Sequence, residues 1–268
     1  MQSIQNVLRE IHQLDEQTQQ HTALSGIHPG MKVLVTVFFL VLTTSFDKYN
    51  LTGLLGMCIY LIVVYQLGEI SLGGMLLRLK ELFLLLFLLG AANLFFDRTV
   101  ISHWGQIPIT GGMFSFLTLY GKGVFAVLAG YALVSTTGME NVCYALQVFH
   151  LPRILITTIL LTYRYLILFV KEVDRVSLAY AMRAPGQRGI HCKAWGSLVG
   201  SMLLRSMDRS ETVYQSMQLR GFQGQLRLQM REPISIGATF AYGIVMTGML
   251  VLLRFIPVFE LLGSVISR

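Results

Sequence analysis

Long apolar stretches that carry few or no charged residues recur along the 268-residue chain. Residues 51–68 and 233–253 contain no charge, and four further runs cover residues 33–46, 82–96, 113–137 and 151–170. A helix that crosses a bilayer needs about 20 mostly apolar residues. The pattern therefore predicts an all-α membrane protein with five to six transmembrane helices, of which the first and third are short.

The charge content of the chain supports this fold class and excludes others. Charged residues make up 13% of the sequence, whereas a soluble domain averages about 25%. Composition therefore argues against a soluble enzyme, a disordered protein and a secreted disulfide-rich domain. The three cysteines, Cys58, Cys143 and Cys192, lack CxxC or CxxH spacing and are predicted to be packing residues.

The distribution of charges divides the chain into four regions. These are a polar N-terminal arm at residues 1–30, transmembrane helices at 31–170, a basic segment at 171–231, and a C-terminal transmembrane helix and tail at 232–268. The basic segment holds ten Lys or Arg residues and four Asp or Glu residues. Because excess Lys and Arg mark the cytoplasmic side, we expect this segment in the cytoplasm. The side of the N-terminus depends on the number of spans and stays open.

Two long helices are predicted to run into and through the basic segment. The stretch from residue 154 to about 184 lacks Gly and Pro and ends at Pro185 and Gly186. Further along, apolar residues at helical spacing predict an amphipathic helix of about six turns that stops at Gly221; they are Val199, Met202, Leu203, Met207, Val213, Tyr214 and Met217. The two helices end in similar sequence motifs, AMRAPG at 181–186 and MQLRGF at 217–222.

With this pair of helix ends, the chain resembles the transmembrane coupling (T) component of energy-coupling factor (ECF) transporters. The resemblance is closest to the cobalt-type CbiQ family. The resemblance covers roughly residues 25 to 255. The segments that carry it are LLRS at 203–206, DRSE at 208–211, YQSM at 214–217, LRGF at 219–222, HPGMK at 28–32, and LTYRY at 161–165 with Glu172.

The resemblance implies a helical membrane bundle with a cytoplasmic domain of coupling helices at residues 171–231. Two copies of an ABC-type ATPase would each receive one coupling motif, and a separate membrane subunit would bind cobalt or nickel. The second motif is Leu219, Arg220 and Gly221. The first comprises Arg183, Ala184 and Gly186, with Pro185 where the family has Arg, so that either Arg183 or Arg188 supplies the charge. The implied coupling-helix surface contains Met202, Met207, Tyr214 and Met217.

The sequence lacks recognisable nucleotide-binding, catalytic and metal-binding motifs, and this sets the expectations for catalysis and cofactors. The chain has no G-x-x-x-x-G-K-[ST] loop and no recognisable catalytic signature. We therefore expect a non-catalytic subunit without a cofactor, whose ATP is hydrolysed by a partner. The six histidines are not spaced as metal ligands, so no resident metal site is expected. The expected surroundings are a bacterial or archaeal cell (inner) membrane and its lipid, with no nucleic-acid partner.

Two basic residues inside predicted spans need a partner, because an isolated charge is costly in lipid. We expect Lys122 either to extend its ammonium group to the membrane interface or to pair within the bundle. For Arg164, pairing within the bundle and contact with another subunit both stay open.

Other functions remain as alternatives to a cobalt or nickel coupling subunit. The nearest is a T component that serves a vitamin-type ECF module. A polytopic membrane enzyme is disfavoured because the basic segment offers one His and a few acidic residues at helix-surface spacing. A self-sufficient channel or carrier is disfavoured because no internal repeat stands out.

Overall fold

The computed structural model of the protein describes residues 24–47, 51–70, 72–96, 100–104, 107–184, 186, 189–224, 226 and 235–255. Its early helices are α1 (Pro29–Thr44), α2 (Leu51–Gly56), α3 (Cys58–Leu67) and α4 (Leu72–Phe96). Two strands follow, β1 (Val100–Trp104) and β2 (Ile107–Thr110). The later helices are α5 (Gly111–Thr137), α6 (Met139–Val148), α7 (Arg153–Arg183), α8 (Cys192–Leu219) and α9 (Ile236–Phe255).

Helices dominate, and the predicted class of helical membrane protein is confirmed. In the part of the chain that the structure describes, three helical stretches are long and apolar enough to cross a membrane: Gly112–Thr137, Arg153–Arg183 and Ile236–Phe255. Two shorter apolar helical stretches, Pro29–Thr44 and Gly53–Leu67, accompany them. Large apolar side chains on these helices are exposed, as lipid-facing residues are. The count of five to six spans stays a prediction.

The segment between α4 and α5 departs from expectation. The Gly, Pro, Ser and Trp content of residues 101–112 predicts a loop or a re-entrant segment, but most of these residues form an antiparallel hairpin in which Trp104 lies opposite Ile107 and Val100 opposite Thr110. The β-branched residues in both strands favour extended backbone. An irregularity between Val100 and Ser102 shifts the register.

One compact unit contains the elements α1–α5, β1, β2 and α9. Its core is a continuous apolar cluster in which the rings of Phe39 and Tyr60 stack with centroids 4.5 Å apart. The helix α1 packs against both α5 and α9. A Cβ added at Gly243 would lie 2.9 Å from the Met31 sulfur. Glycine at this position therefore lets α9 approach α1 closely.

The HPGMK motif at residues 28–32 caps the beginning of α1 and connects it to α9 by a hydrogen bond. The Nδ1 atom of His28 accepts a hydrogen bond from the Gly30 amide at 3.0 Å, which caps the helix. The His28 amide donates to Oγ1 of Thr239 in α9 at 3.1 Å. Pro29 suits the first helical turn because its fixed φ matches the helix and the missing N–H would have no partner there.

Helices α1 and α5 each contain a lysine that donates a hydrogen bond to carbonyl groups at the C-terminal end of the other helix. Lys32, in the first turns of α1 and 5% exposed, donates to the carbonyl of Thr136 at the end of α5, at 3.1 Å. Lys122, in α5, donates to the carbonyls of Thr44 (3.1 Å) and Phe46 at the end of α1. Terminal carbonyls have no partner within their own helix, and a cation near them is favourable. Of the two alternatives for Lys122, the structure shows pairing within this compact unit.

The second compact unit contains α6, α7 and α8. Helix α6 packs against α7 through the buried residues Cys143, Ile156 and Leu160, and Leu226 joins this cluster. The Nη2 atom of Arg164 in α7 lies 2.9 Å from Oε1 of Glu140 in α6. Of the two alternatives left open for Arg164, the structure shows pairing with an acidic residue of this same unit.

Replacing Lys32 by Met should lower the stability of the protein. The substitution keeps most of the side-chain volume but takes the Lys32 donor away from the partly buried carbonyl of Thr136, which costs about 1–3 kcal/mol. Thermal unfolding of the detergent-purified variant measures the loss. Lys80→Met is the control, because Lys80 is exposed on α4. Equal melting temperatures for the two variants would contradict the capping role of Lys32.

Candidate functional site

Helices α7 and α8 run antiparallel and form the surface on which most of the predicted site residues lie. About two thirds of the way along α7, Oε1 of Glu172 lies 2.9 Å from Nη1 of Arg205, which is at the middle of α8. Toward the N-terminal end of α7, Phe222 shares a groove with Ile154, and Leu226 packs against the cluster of Ile156 and Leu160. The chain that leaves α8 therefore lies beside the beginning of α7.

Between these two contacts the helices enclose a groove of about 800 Å³. One stripe of α7, spaced three or four residues apart from Ile154 to Glu172, lines one wall. The facing stripe of α8 runs from Met202 to Met217. The groove therefore lies between the N-terminal two thirds of α7 and the C-terminal half of α8.

The C-terminal end of α8 is a complete Schellman cap. The Phe222 amide donates to the Met217 carbonyl and the Gly221 amide donates to the Gln218 carbonyl, both at 2.9 Å. Gly221 has φ +80°, a left-handed conformation that glycine adopts without penalty. The predicted helix stop at Gly221 is confirmed. The cap fixes the backbone direction on both sides of Arg220, whose side chain projects from an exposed position.

The C-terminal end of α7 has a different form. Helix α7 ends at Arg183, and the Ala184 amide donates to the Tyr180 carbonyl at 3.0 Å. Gly186 adopts φ +92°, which turns the chain out of the helix. Arg183 is exposed. Pro185 and the alternative residue Arg188 lie outside the described residues.

The two motif arginines lie far apart within this unit. Arg220 lies beside the first turns of α7, because the following Phe222 lines the groove together with Ile154, whereas Arg183 is the last residue of α7. The intervening 27 residues or so span about 40 Å at 1.5 Å per residue. In the part of the chain that the structure describes, neither guanidinium has a hydrogen-bond or ion-pair partner.

The four predicted surface residues of α8 do not share one face. Met202 is nearly buried, and Met217 and Tyr214 line the groove with it. Met207 is 59% exposed and belongs to an outer strip with Leu203 and Leu204, which are also exposed. Only Met207 is therefore a freely exposed residue outside the groove, because the other three side chains take part in forming it.

The facing wall from α7 was not predicted from the sequence. Tyr165, Phe169 and Glu172 contribute to it, and of these Tyr165 and Glu172 appear in segments that carry the family resemblance. Sequence spacing shows that they share a face of α7. It does not show that this face meets α8.

The cysteines and histidines play no evident chemical part in this surface. Burial raises the pKa of the Cys143 thiol, and the nearby charge of Glu140 raises it further, so Cys143 is a poor nucleophile. Cys192 is exposed, so the prediction of a packing role fails for this residue. His191 caps α8 through Nδ1, which accepts from the Lys193 amide at 3.3 Å. Among the described residues, no cluster of His, Cys, Asp or Glu could hold a metal ion.

The structure thus defines a helical multi-pass membrane protein with two long helices, α7 and α8, that end at or next to exposed arginines. A family model described as cobalt transport protein, CbiQ, matches residues 20–231. The chain belongs to this family, which confirms the resemblance read from the sequence. It is a membrane component of cobalt transport.

Three relatives show detectable similarity. An uncharacterised protein of Methanocaldococcus jannaschii is 25% identical over 93% of this chain and 90% of its own length. A second uncharacterised protein of that organism is 25% identical over 46% of this chain and 47% of its own length. A protein of Methanocorpusculum labreanum named as a fused cobalt transport protein CbiMQ is 26% identical over 45% of this chain, which covers 21% of the relative.

Two glycines in or after α8 should respond oppositely to substitution by alanine. Gly221→Ala places a Cβ at φ +80° and should destabilise the helix end by about 1 kcal/mol. Gly200→Ala, in the interior of α8 with no atom near its added Cβ, should stabilise the helix by about 0.5–1 kcal/mol. Hydrogen exchange of the α8 amides in the purified protein measures both effects. Slower exchange at the end of α8 in Gly221→Ala would contradict the cap.

Proposed function

We propose that the chain is the transmembrane coupling subunit of an ATP-driven, ECF-type importer for cobalt or nickel ions. In this role it hydrolyses nothing itself. It carries the movement of two ABC-type ATPase subunits to a separate membrane subunit that binds the ion. The proposed location is the cell (inner) membrane of a bacterium or archaeon.

The observation that carries this proposal is the pair of exposed arginines at opposite ends of the α7–α8 pair. With about 40 Å between them, Arg183 and Arg220 are too far apart to enter one binding pocket. Two separate receiving sites are needed, and two copies of one ATPase supply them. This spacing supports an assignment of one motif to each ATPase subunit.

The chemistry of the helix ends suits such a contact. Arginine presents a planar guanidinium that donates two parallel, charge-assisted hydrogen bonds to a carboxylate. A groove with acidic side chains on the ATPase would therefore receive it well. Leu219, which is 90% exposed, adds an apolar contact next to Arg220. Gly221 completes the motif by fixing the turn that follows.

The helices also suit the transmission of movement. They are continuous α-helices of 31 and 28 residues, and the Glu172–Arg205 pair joins the C-terminal third of α7 to the middle of α8. A displacement applied at either helix end is therefore passed along a stiff element to its neighbour. The outer strip of Leu203, Leu204 and Met207 offers an apolar surface for the ion-binding subunit, and methionine adapts to surfaces that repack.

The need for partners is supported by sequence and by a relative. The sequence contains no phosphate-binding loop of the G-x-x-x-x-G-K-[ST] type, so ATP hydrolysis is assigned to another subunit. The relative named as a fused CbiMQ joins two named components in one chain. The alignment pairs 45% of this chain with 21% of that relative, and the second component named in the fusion is the one assigned here to a separate subunit.

A vitamin-type ECF module remains the second candidate, because the same coupling helices would serve it. The family description, cobalt transport, favours the metal. Uptake measurements with radioactive cobalt and nickel in cells that express the complete transporter separate the two. Transport of neither ion by an assembled, ATP-hydrolysing complex would move the assignment to a vitamin.

Charge reversal at the second motif should separate this chain from its ATPase. Arg220→Glu places a negative charge where a carboxylate-lined groove is proposed, and the loss of an interface arginine costs about 2 kcal/mol or more. Detergent pull-down from the native membrane, followed by mass spectrometry, should recover the ATPase with the wild type and at least about 30-fold less with the variant. Lys193→Glu, an equal charge change at the other end of α8, is the control. Equal recovery with Arg220→Glu would reject the docking assignment.

The first motif is tested by the same change at two positions. Arg183→Glu should reduce ATPase recovery and ion uptake, whereas Arg188→Glu should leave both near the wild-type level. A harmful effect of Arg188→Glu with a harmless Arg183→Glu would transfer the role to Arg188.

The purified subunit alone should show no ATP hydrolysis above the level of a buffer blank. Phosphate release on addition of ATP and Mg²⁺ measures this, and addition of the ATPase subunits should restore activity. Hydrolysis by the subunit alone would reject the division of labour proposed here.

A further inference from the structure

The groove between α7 and α8 leaves large apolar side chains uncovered. Ile154, Phe169 and Tyr214 line it and are 73%, 46% and 54% exposed. Helix α8 belongs to the basic segment that we expect in the cytoplasm, and the α7 wall faces it across the groove. A contiguous apolar surface that is open to water marks a site where another segment binds. The groove therefore needs an apolar cover.

One positive charge in the groove also lacks a counter-charge. The charged side chains among its described lining residues are Glu172, Arg205 and Arg209. The Glu172 carboxylate accepts from Arg205 at 2.9 Å, whereas Arg209 has no hydrogen-bond or ion-pair partner in the part of the chain that the structure describes. Arg209 lies one helical turn from Arg205, toward the apolar part of the groove. A matching cover would present an apolar stripe with a carboxylate at one end.

The first residues of the N-terminal arm have this pattern. Asp15 follows Ile11 by four residues and falls on the same face of a helix, whereas Arg9, Gln13 and Glu16 fall on the opposite face. The sequence thus predicts an amphipathic helix with one carboxylate at the end of its apolar stripe. The apolar residues of this stripe are Ile4, Val7, Leu8, Ile11 and Leu14.

The stripe and the groove agree in length. From Ile4 to Asp15 a helix rises about 17 Å. The apolar part of the groove follows α7 from Ile154 to Phe169 for about 23 Å. With Asp15 beside Arg209, the whole stripe fits between that arginine and the end of the groove at Ile154.

The connections of the chain permit the arm to reach the groove. At the base of the arm, the Gly26 carbonyl accepts from the Ser235 amide at 3.0 Å. Nine residues along the chain from Ser235, Leu226 joins the α6–α7 cluster. Nine residues span at most about 30 Å, and the stretch from Asp15 to Leu24 has the same reach. Both connections are therefore compatible with an arm that returns to the groove.

We propose that residues 4–15 of the chain's own N-terminal arm dock as an amphipathic helix in the groove between α7 and α8. The arm lies parallel to α7 and antiparallel to α8. Its apolar stripe covers the groove, with Ile11 against Val213, and the Asp15 carboxylate accepts hydrogen bonds from Arg209. The docked arm joins the two walls, so that three helices pack as one unit.

This arrangement needs the N-terminus on the same side of the membrane as α8. An even number of spans must then separate the arm from the basic segment. The contact lies within one chain, and it does not depend on the coupling role proposed above.

Disulfide crosslinking of the full-length protein in its native membrane tests the contact. The three native cysteines are replaced by alanine, and Ile11→Cys is combined with Val213→Cys. The control combines Gln13→Cys with Val213→Cys, because Gln13 lies on the opposite face of the arm. A disulfide needs Cα atoms within about 7 Å, so oxidation with copper phenanthroline should link residues 11 and 213 within one chain at least about tenfold faster than the control pair.

Exchange of charges tests the Asp15–Arg209 pair in the crosslinkable variant. Asp15→Arg and Arg209→Asp should each slow disulfide formation about fivefold, and the two changes together should restore it. Glu16→Arg, the same change on the opposite face of the arm, should leave the rate unaltered. Because Arg209 is exposed, Arg209→Asp should keep the wild-type melting temperature. A rate that neither charge change affects would overturn the assigned pair.

Three further results would overturn the docking itself. Equal disulfide rates for the Ile11→Cys and Gln13→Cys pairs would mean that the arm presents no fixed face to the groove. A disulfide-linked dimer in place of the product within one chain would assign the groove to the arm of a second copy. Labelling of Ile11→Cys in intact cells by a membrane-impermeant maleimide would place the arm on the opposite side of the membrane from α8.

Discussion

A helix that ends within or near a bilayer must find partners for its last carbonyl groups from the protein itself, because water is scarce there. The short apolar helix α1 meets this requirement through Lys122, and α5 meets it through Lys32. Each lysine lies on the helix whose own end is capped by the other. The same contacts bind α1 and α5 in antiparallel register, and the α1–α9 contact at His28 and Gly243 builds on that pair.

This exchange explains how the chain carries charge inside an apolar bundle. An ammonium group bound to two carbonyl oxygens near a helix end is stabilised by the partial negative charge of the helix dipole. It needs no carboxylate partner, whose own burial would cost further free energy. Arg254 at the end of α9 uses a related solution, because its guanidinium lies 4.1 Å above the centre of the Phe46 ring. In these contacts the two lysines pair with backbone carbonyl dipoles, and Arg254 pairs with an aromatic ring.

Local features of the chain were predictable, and contacts between distant segments were not. Helical spacing and the glycine at position 221 predicted the C-terminal end of α8 and about six of its turns, since both signals act within a few residues, but not its start at Cys192. Pairing within the bundle was one of two solutions expected for Lys122, because lipid offers an ammonium group no partner. The partners of Lys32 and Glu172 depend on the packing of helices that are far apart in sequence. A single sequence gives no direct information on that packing. The hairpin at β1 and β2 was missed because its Gly, Pro and Ser residues are also typical of loops.

The two coupling-motif ends differ in a way that bears on their proposed docking. At Arg220 the two Schellman hydrogen bonds and Gly221 define the backbone on both sides of the side chain. Among the described residues at the end of α7, the Ala184 amide donates to the Tyr180 carbonyl, and Gly186 and Gly189 both have positive φ. Pro185 cannot donate a backbone hydrogen bond, so a Schellman cap of the kind found after α8 is not open to this sequence. The two motif arginines are therefore presented by helix ends of different backbone chemistry. If both engage identical ATPase subunits, the same kind of groove must accept two differently built helix ends.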